Sequence, residues 1–284
     1  MKTAAVYKQH NHPRSEVVCD IAAAGLRVAG YDVRVFFEDE YEGEPVASIA
    51  AFYGMAGKLR QISRDYKSEG HHALYFDLPY WKREGKRPNF GHHKIAVDGR
   101  HPTAYFQKVK HTGGRWRTFG LPFRPRVQLL RGAIVVAGMS KKACDFEGYE
   151  HEAFEREAIR RLKEVTRRPI VYRPKPTCPF SKPIAGTLYS GPSDSVWKVL
   201  ERCHAVVARH SNVAVDGICT GSVPCVIDGV ASVFSTTIED IDRAKLPLDD
   251  IRMQFLADLA YTQWSLHEIR SGQPFLHLEK EGVI

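Results

Sequence analysis

Three short strings in this sequence hold side chains suited to gripping phosphate. In AGMSKKA (137–143), Ser140, Lys141 and Lys142 follow an apolar run and can offer a hydroxyl, two ammonium groups and free backbone N–H donors. A solvated lysine pair on a loop accounts for that string equally well. In RPKP (173–176), prolines stiffen the chain after a second apolar run and fix where Arg173 and Lys175 project. Pre-positioned arginine and lysine suit phosphate. The third string, Arg209, His210, Ser211 and Asn212, leads from a strand into a helix whose free N–H groups favour an anion. That helix carries Asp216, and TGSVP (220–224) returns the chain to another strand.

A second set of residues could handle a hydroxyl group. His10 and His12 follow the first strand and Asp77 ends the fourth. Either an imidazole or a desolvated carboxylate can accept a hydroxyl proton, and Asp77 is the favoured base. The alternatives are a turn-capping aspartate and surface histidines.

Charge marks a third region. The chain has 41 Lys+Arg against 33 Asp+Glu, net +8. Lys82–Arg126 alone has 12 basic residues against Glu84 and Asp98, net +10. Within it Lys94, Arg100, His101, Lys108, Lys110, Arg115 and Arg117 are interleaved with Phe90, Tyr105, Phe106, Trp116 and Phe119. Cations on phosphates and rings on bases are what a nucleic-acid groove uses, so double-stranded DNA is an expected partner. A solvated basic loop is the plainer reading. His92, His93 and His101 lack helical ligand spacing with an acidic third partner, so no metal is expected.

The elements that must position these residues alternate as strand and helix. Strands are predicted at Thr3–Tyr7, Asp32–Phe37, Val46–Tyr53 and Ala73–Asp77, with helices from Glu16, capped by Ser15, and over Lys58–Lys67. A loop-like basic segment follows. A second series begins with strands at Ala133–Ala137 and Ile170–Arg173, a helix between them over Glu150–Val165, and a helical tail over Leu248–Ile269. The pattern argues α/β architecture in two units, 1–125 and 126–284, with the natural site in a cleft at the strands' carboxyl ends. No GxGxxG, Walker loop, HExxH, EF-hand or GxSxG is present, which disfavours several common enzyme classes. No apolar run is long enough for a membrane span, and the first residues lack a secretory h-region. Six dispersed cysteines without a CxxC pair fit reduced thiols and a cytoplasmic setting.

Taken together, SKK, RPKP and RHSN, each at a strand end of one α/β unit, resemble the donor-binding end of GT-B glycosyltransferases and the related sugar-nucleotide epimerases. The likeness covers roughly 134–227, and Asp216 stands where the family commonly has a glutamate. It implies two Rossmann-like units facing across a cleft and a C-terminal helix crossing back, in which Trp264, Leu266 and Ile269 pack. It also implies a nucleotide-sugar donor, a UDP-sugar for preference, held without metal by Ser140, Lys141, Arg173, Lys175, Arg209, His210, Ser211, Asn212 and Asp216. With the basic segment, it suggests a phage-type enzyme glycosylating hydroxymethyl-pyrimidines in DNA in the host cytoplasm. The competing expectations are a surface-polysaccharide glycosyltransferase, an epimerase, or a DNA-binding protein without catalysis.

Overall fold

The computed structural model describes residues 1–83, 91–125, 132–178, 181–191, 193–210 and 212–284. They form two compact units, Met1–Phe119 with Gln254–Ile284, and Gly120–Met253. The tail therefore belongs to the first unit, whereas the expected division numbered it with the second as a crossing helix.

The chain opens with β1 (Thr3–Lys8), α1 (Pro13–Val28), β2 (Asp32–Phe37), β3 (Ile49–Tyr53), α2 (Leu59–Ser68) and β4 (His72–Asp77). The basic segment contributes β5 (His92–Val97) and the short α3 (Gly114–Thr118). The second unit holds β6 (Ala133–Ala137), α4 (Lys141–Glu147), α5 (Ala153–Val165), β7 (Ile170–Arg173) and β8 (Leu188–Tyr189). It continues with α6 (Val196–Leu200), β9 (Cys203–Ala208), α7 (Asn212–Thr220) and β10 (Val223–Val226). The tail is α8 (Asp249–Ala260), β11 (Gln263–Ser265), α9 (Leu266–Arg270) and α10 (Gln273–Lys280).

In the first unit the strand order is β11-β5-β4-β3-β1-β2. Strands β1 to β4 run parallel, and β5 and β11 add antiparallel pairings. Helix α1 starts earlier than the Ser15 cap predicts. His12 is the N-cap, its Nδ1 accepting the Ser15 amide at 3.1 Å, and Pro13 supplies a pre-set φ for the first turn. Val18, Ile21, Ala22 and Leu26 of α1 lie in the core with Val6, Ala51 and Phe76.

The tail packs on α1, as expected, with Trp264, Leu266 and Ile269 all buried. Gly25 is the point of closest approach: a Cβ there would lie 1.8 Å from the Ile269 carbonyl oxygen. Arg115 is the fastening. Its guanidinium donates to both Glu268 carboxylate oxygens at 2.6 and 3.0 Å, to the Ala260 and Gln263 carbonyls, and lies 4.1 Å from the Trp264 ring centroid. Burial pushes Glu268 up, but Arg115 and the Ser265 amide outweigh it and bring the carboxyl down to about 2.

The second sheet, order β10-β9-β6-β7-β8, is parallel throughout. Ile134, Val136, Tyr172 and Val207 of the strands pack with Ala158 and Leu162 of α5. Gly217 lets α7 sit close on β9, since a Cβ there would meet Val206 at 2.9 Å. Among the described residues, all six cysteines are buried and none is in a disulfide, and no helix is long and apolar enough to cross a membrane.

The basic segment is not a loop. Residues 84–90 and Arg126 lie outside the described residues, but His92–Val97 is an internal strand of the sheet. Tyr105, Phe106, Trp116 and Phe119 are core residues, 1–6% exposed. Because Arg115 makes a bidentate, part-buried contact, Arg115→Lys is expected to cost about 2–4 kcal/mol in denaturant unfolding. Lys108→Glu, at an exposed position, should stay within about 0.5 kcal/mol of the parent.

Candidate functional site

A parallel sheet delivers every strand's carboxyl end to one edge, and in the second unit that edge gathers Ser140, Lys175 and Arg209. Strand β6 leads into Gly138, Met139 and Ser140, β7 into Pro174 and Lys175, and β9 into Arg209 and His210 before Asn212 opens α7. Gly138 is required by close approach: a Cβ would meet Pro174 Cα at 3.1 Å and the Lys175 amide nitrogen at 3.2 Å. The Met139 amide donates at 2.5 Å to the buried Glu155 carboxylate, fixing the loop from beneath. Burial pushes the Glu155 carboxyl up. Ser140 caps α4 through its side chain, accepting from the Ala143 amide at 3.2 Å.

Arg209 is the most telling side chain here. Its Nη2 pairs with Glu147 at 3.1 Å, while Nε and Nη1 are buried and donate to no described atom. An unmet buried N–H donor costs about 1–3 kcal/mol, and Arg209 carries two of them at the carboxyl edge of the sheet.

Arg173 does not project as RPKP suggested. It is 6% exposed and donates to Ser190 Oγ at 2.6 Å, the Gly191 carbonyl at 3.2 Å and the Asp194 carbonyl at 2.8 Å. It holds the loop after β8, so its guanidinium is already committed. Lys141 is exposed and pairs with Asp145 at 3.2 Å. Asp216 is buried within α7. Ser211 lies outside the described residues.

In the first unit the corresponding edge is also polar, but not in the way Asp77 suggested. Lys94 on β5 stands directly across from Asp77 on β4, and their side chains pair at 3.2 Å. Burial raises the Asp77 carboxyl, yet Lys94 and the Leu78 amide outweigh it and hold it below the ordinary range. A carboxylate stabilised in this way is a poor proton acceptor. Lys94 is likewise engaged in this pair and only 3% exposed, not a projecting side chain of the basic segment. Trp116 and Arg115 are committed to the interior, as described above. Lys108, Lys110 and Arg117 are exposed, and Arg100 and His101 are half-buried.

His10 stacks on Phe37 with 3.8 Å between ring centroids and meets Asp39 at 3.1 Å, while His12 spends Nδ1 on the α1 cap. Neither is oriented toward Asp77 by a hydrogen bond among the described residues.

The residue missed by motif reading is His93, on the opposite face of β5 from Lys94. It is 2% exposed, and neither ring nitrogen has a hydrogen-bond partner. Its ring meets Tyr53 edge-on at 5.9 Å, and the Tyr53 ring lies 5.7 Å from that of His12. Burial, and then the Arg14 charge, push His93 down to about 4, so the ring is neutral at neutral pH. A neutral imidazole with one donor and one acceptor unspent suits a hydroxyl, which is itself both. The signal in sequence was the apolar run IAV immediately after HHK, which marks a strand.

Neither a protein-family model nor a curated protein sequence matches the chain. Among solved structures, KpsC of Thermosulfurimonas dismutans is similar over nearly the whole length. Its beta Kdo 2,4 transferase aligns with TM-score 0.56 and 11% identity over 89% of each chain. Its beta Kdo 2,7 transferase aligns with TM-score 0.56 and 13% identity over 97% of this chain and 100% of that one. The fold is GT-B-like. UDP-GlcNAc 2-epimerase of Methanocaldococcus jannaschii aligns over 99% of both chains at 7% identity, but its TM-score of 0.35 is too low to carry an argument.

Because His93 stays neutral when folded and is protonated below about pH 6.5 when unfolded, folding stability should fall as pH drops from about 6.5 to about 4. His93→Gln should flatten that decline by on the order of 2–3 kcal/mol in unfolding titrations across this window. An unchanged slope would mean that the folded ring is protonated with a partner.

Proposed function

We propose that the chain is a glycosyltransferase that moves a sugar from a nucleotide-activated donor to a hydroxyl of a carbohydrate acceptor. The observation that carries this reading is Arg209, with two buried N–H groups unspent at the carboxyl edge of a parallel sheet, beside the start of α7. Nucleotide phosphates bind at that position in open α/β sheets. Lys175 and Ser140 end neighbouring strands of the same edge and add charge and a hydroxyl. The leaving phosphate is stabilised by cations and backbone donors, so this chemistry draws on no metal. The fold shared with the two KpsC transferases supports sugar transfer and makes activated Kdo the first donor to try.

The acceptor is read as a glycan and not as DNA. Of the aromatic side chains expected to stack on bases, Tyr105, Phe106, Trp116 and Phe119 are core residues, and Lys94 and Arg115 are tied into ion pairs. Exposed Lys108, Lys110 and Arg117 remain to meet an anionic glycan. On this reading His93 takes the acceptor hydroxyl's hydrogen bond, with Tyr53 and His12 beside it.

Nucleotide release should be followed with activated Kdo and other sugar nucleotides, each with acidic oligosaccharides or hydroxymethylated duplex DNA. Release that requires an oligosaccharide is expected. Release only with DNA would restore the DNA reading, and conversion of a sugar nucleotide without any acceptor would make the chain an epimerase. Arg209→Met should weaken nucleotide binding by about 1.5–3 kcal/mol, the scale of a charge-assisted hydrogen bond. His93→Gln should lower turnover about tenfold, the scale of one lost hydrogen bond to the acceptor hydroxyl, and leave nucleotide affinity unchanged.

A further inference from the structure

The first unit holds another polar cluster, made of residues other than those assigned to transfer. We propose that His111, His277 and Glu281 form a binding site for zinc or a similar divalent metal, fastening α10 to the segment that precedes α3. One ligand atom from each residue lies within 4.8 Å of the other two, and all three residues are half-buried. His277 and Glu281 are four apart at the end of α10, which puts them on one face of the helix.

His111 is already held as a metal ligand would be. Its Nδ1 faces the buried Asp258 carboxylate at 3.3 Å, and its Nε2 is buried with no hydrogen-bond partner. A carboxylate on one ring nitrogen fixes the tautomer and leaves the other nitrogen's lone pair available to a metal. Asp258 is itself anchored, accepting from the His111 amide at 2.7 Å and from Gln254 Nε2 at 2.8 Å. Tyr261 stacks on both imidazoles, 4.1 Å from His111 and 5.2 Å from His277, and so sets the two ring planes.

Local charge permits a cation. Glu281 and Asp258 contribute two carboxylates. Nearby Arg115 is neutralised by its pair with Glu268, and Lys280 is exposed to solvent. Two imidazoles and one carboxylate select a borderline metal over magnesium or calcium, and three protein ligands leave a fourth position for water. Tetrahedral zinc with ligands at about 2.0–2.1 Å places them roughly 3.4 Å apart, a contraction that small side-chain rotations supply. His92, His93 and His101 drew attention in the sequence because they are close together. The cluster that forms instead joins positions far apart in the chain, brought together by the tail.

The test uses the full chain, stripped with chelator and then titrated with zinc alone, with magnesium as control. One zinc per chain, a raised melting temperature and no response to magnesium are expected. Glu281→Gln, at an accessible helix end, should lower zinc affinity at least tenfold and cancel most of the melting-temperature gain. Asp258→Asn should lower affinity about 10–100-fold. Nucleotide binding should be the same with and without zinc, which separates this site from the donor site. Binding below one equivalent, or zinc affinity unchanged in Glu281→Gln, would overturn the proposal. If Asp258→Asn fails to fold, Glu281→Gln alone decides.

Discussion

In each unit, parallel strands joined by crossovers must release their carboxyl ends on the same edge, and the candidate chemistry follows from that constraint. In the second unit β6 lies between β7 and β9, so Ser140, Lys175 and Arg209 come from adjoining strands although far apart in sequence. Crowding sharpens the placement. Gly138 can approach Pro174 and Lys175 only without a side chain, and Glu155 grips the Met139 amide. The edge is therefore fixed before any ligand arrives, which reduces the ordering cost of binding an anion.

Burial then sorts the polar and charged residues into those whose donors are met within the fold and those whose donors are not. Arg173, Arg115 and Lys94 each satisfy their donors within their own unit. Arg209 and His93 do not. An unsatisfied buried polar group is costly; Arg209 follows the parallel strand β9, and His93 lies near the start of the antiparallel β5, next to Lys94, which stands across from the carboxyl end of β4. Net charge alone does not make this distinction: the basic segment contributes as much to the core and to the tail's anchorage as to the surface.

Strand ends with apolar runs were legible in the sequence: Asp32–Phe37, Ala133–Ala137 and Ile170–Arg173 fall where periodicity places them. SKK, the lysine of RPKP and the RH of RHSN also come directly after such runs. Strand β5 was not legible, because His92, His93 and Lys94 read as polar loop and only pairing with β4 and β11 makes them interior. The same pairing converts Asp77 from a candidate base into half of an ion pair. The α1 cap was displaced from Ser15 to His12 because Pro13 favours the first helical turn. The tail's anchorage depends on Gly25 and Arg115, whose partners lie well over a hundred residues away in the chain. No local pattern encodes contacts at that distance.

The most direct test of this account is amide hydrogen exchange with and without a saturating nucleoside phosphate, chosen from mono- and diphosphates by binding. The account predicts slowed exchange in peptides covering Gly138–Lys142, Lys175 and Arg209–Val215, with the first unit's strand ends unaffected. Protection confined to the first unit, or no protection with any nucleotide in a folded protein, would contradict it.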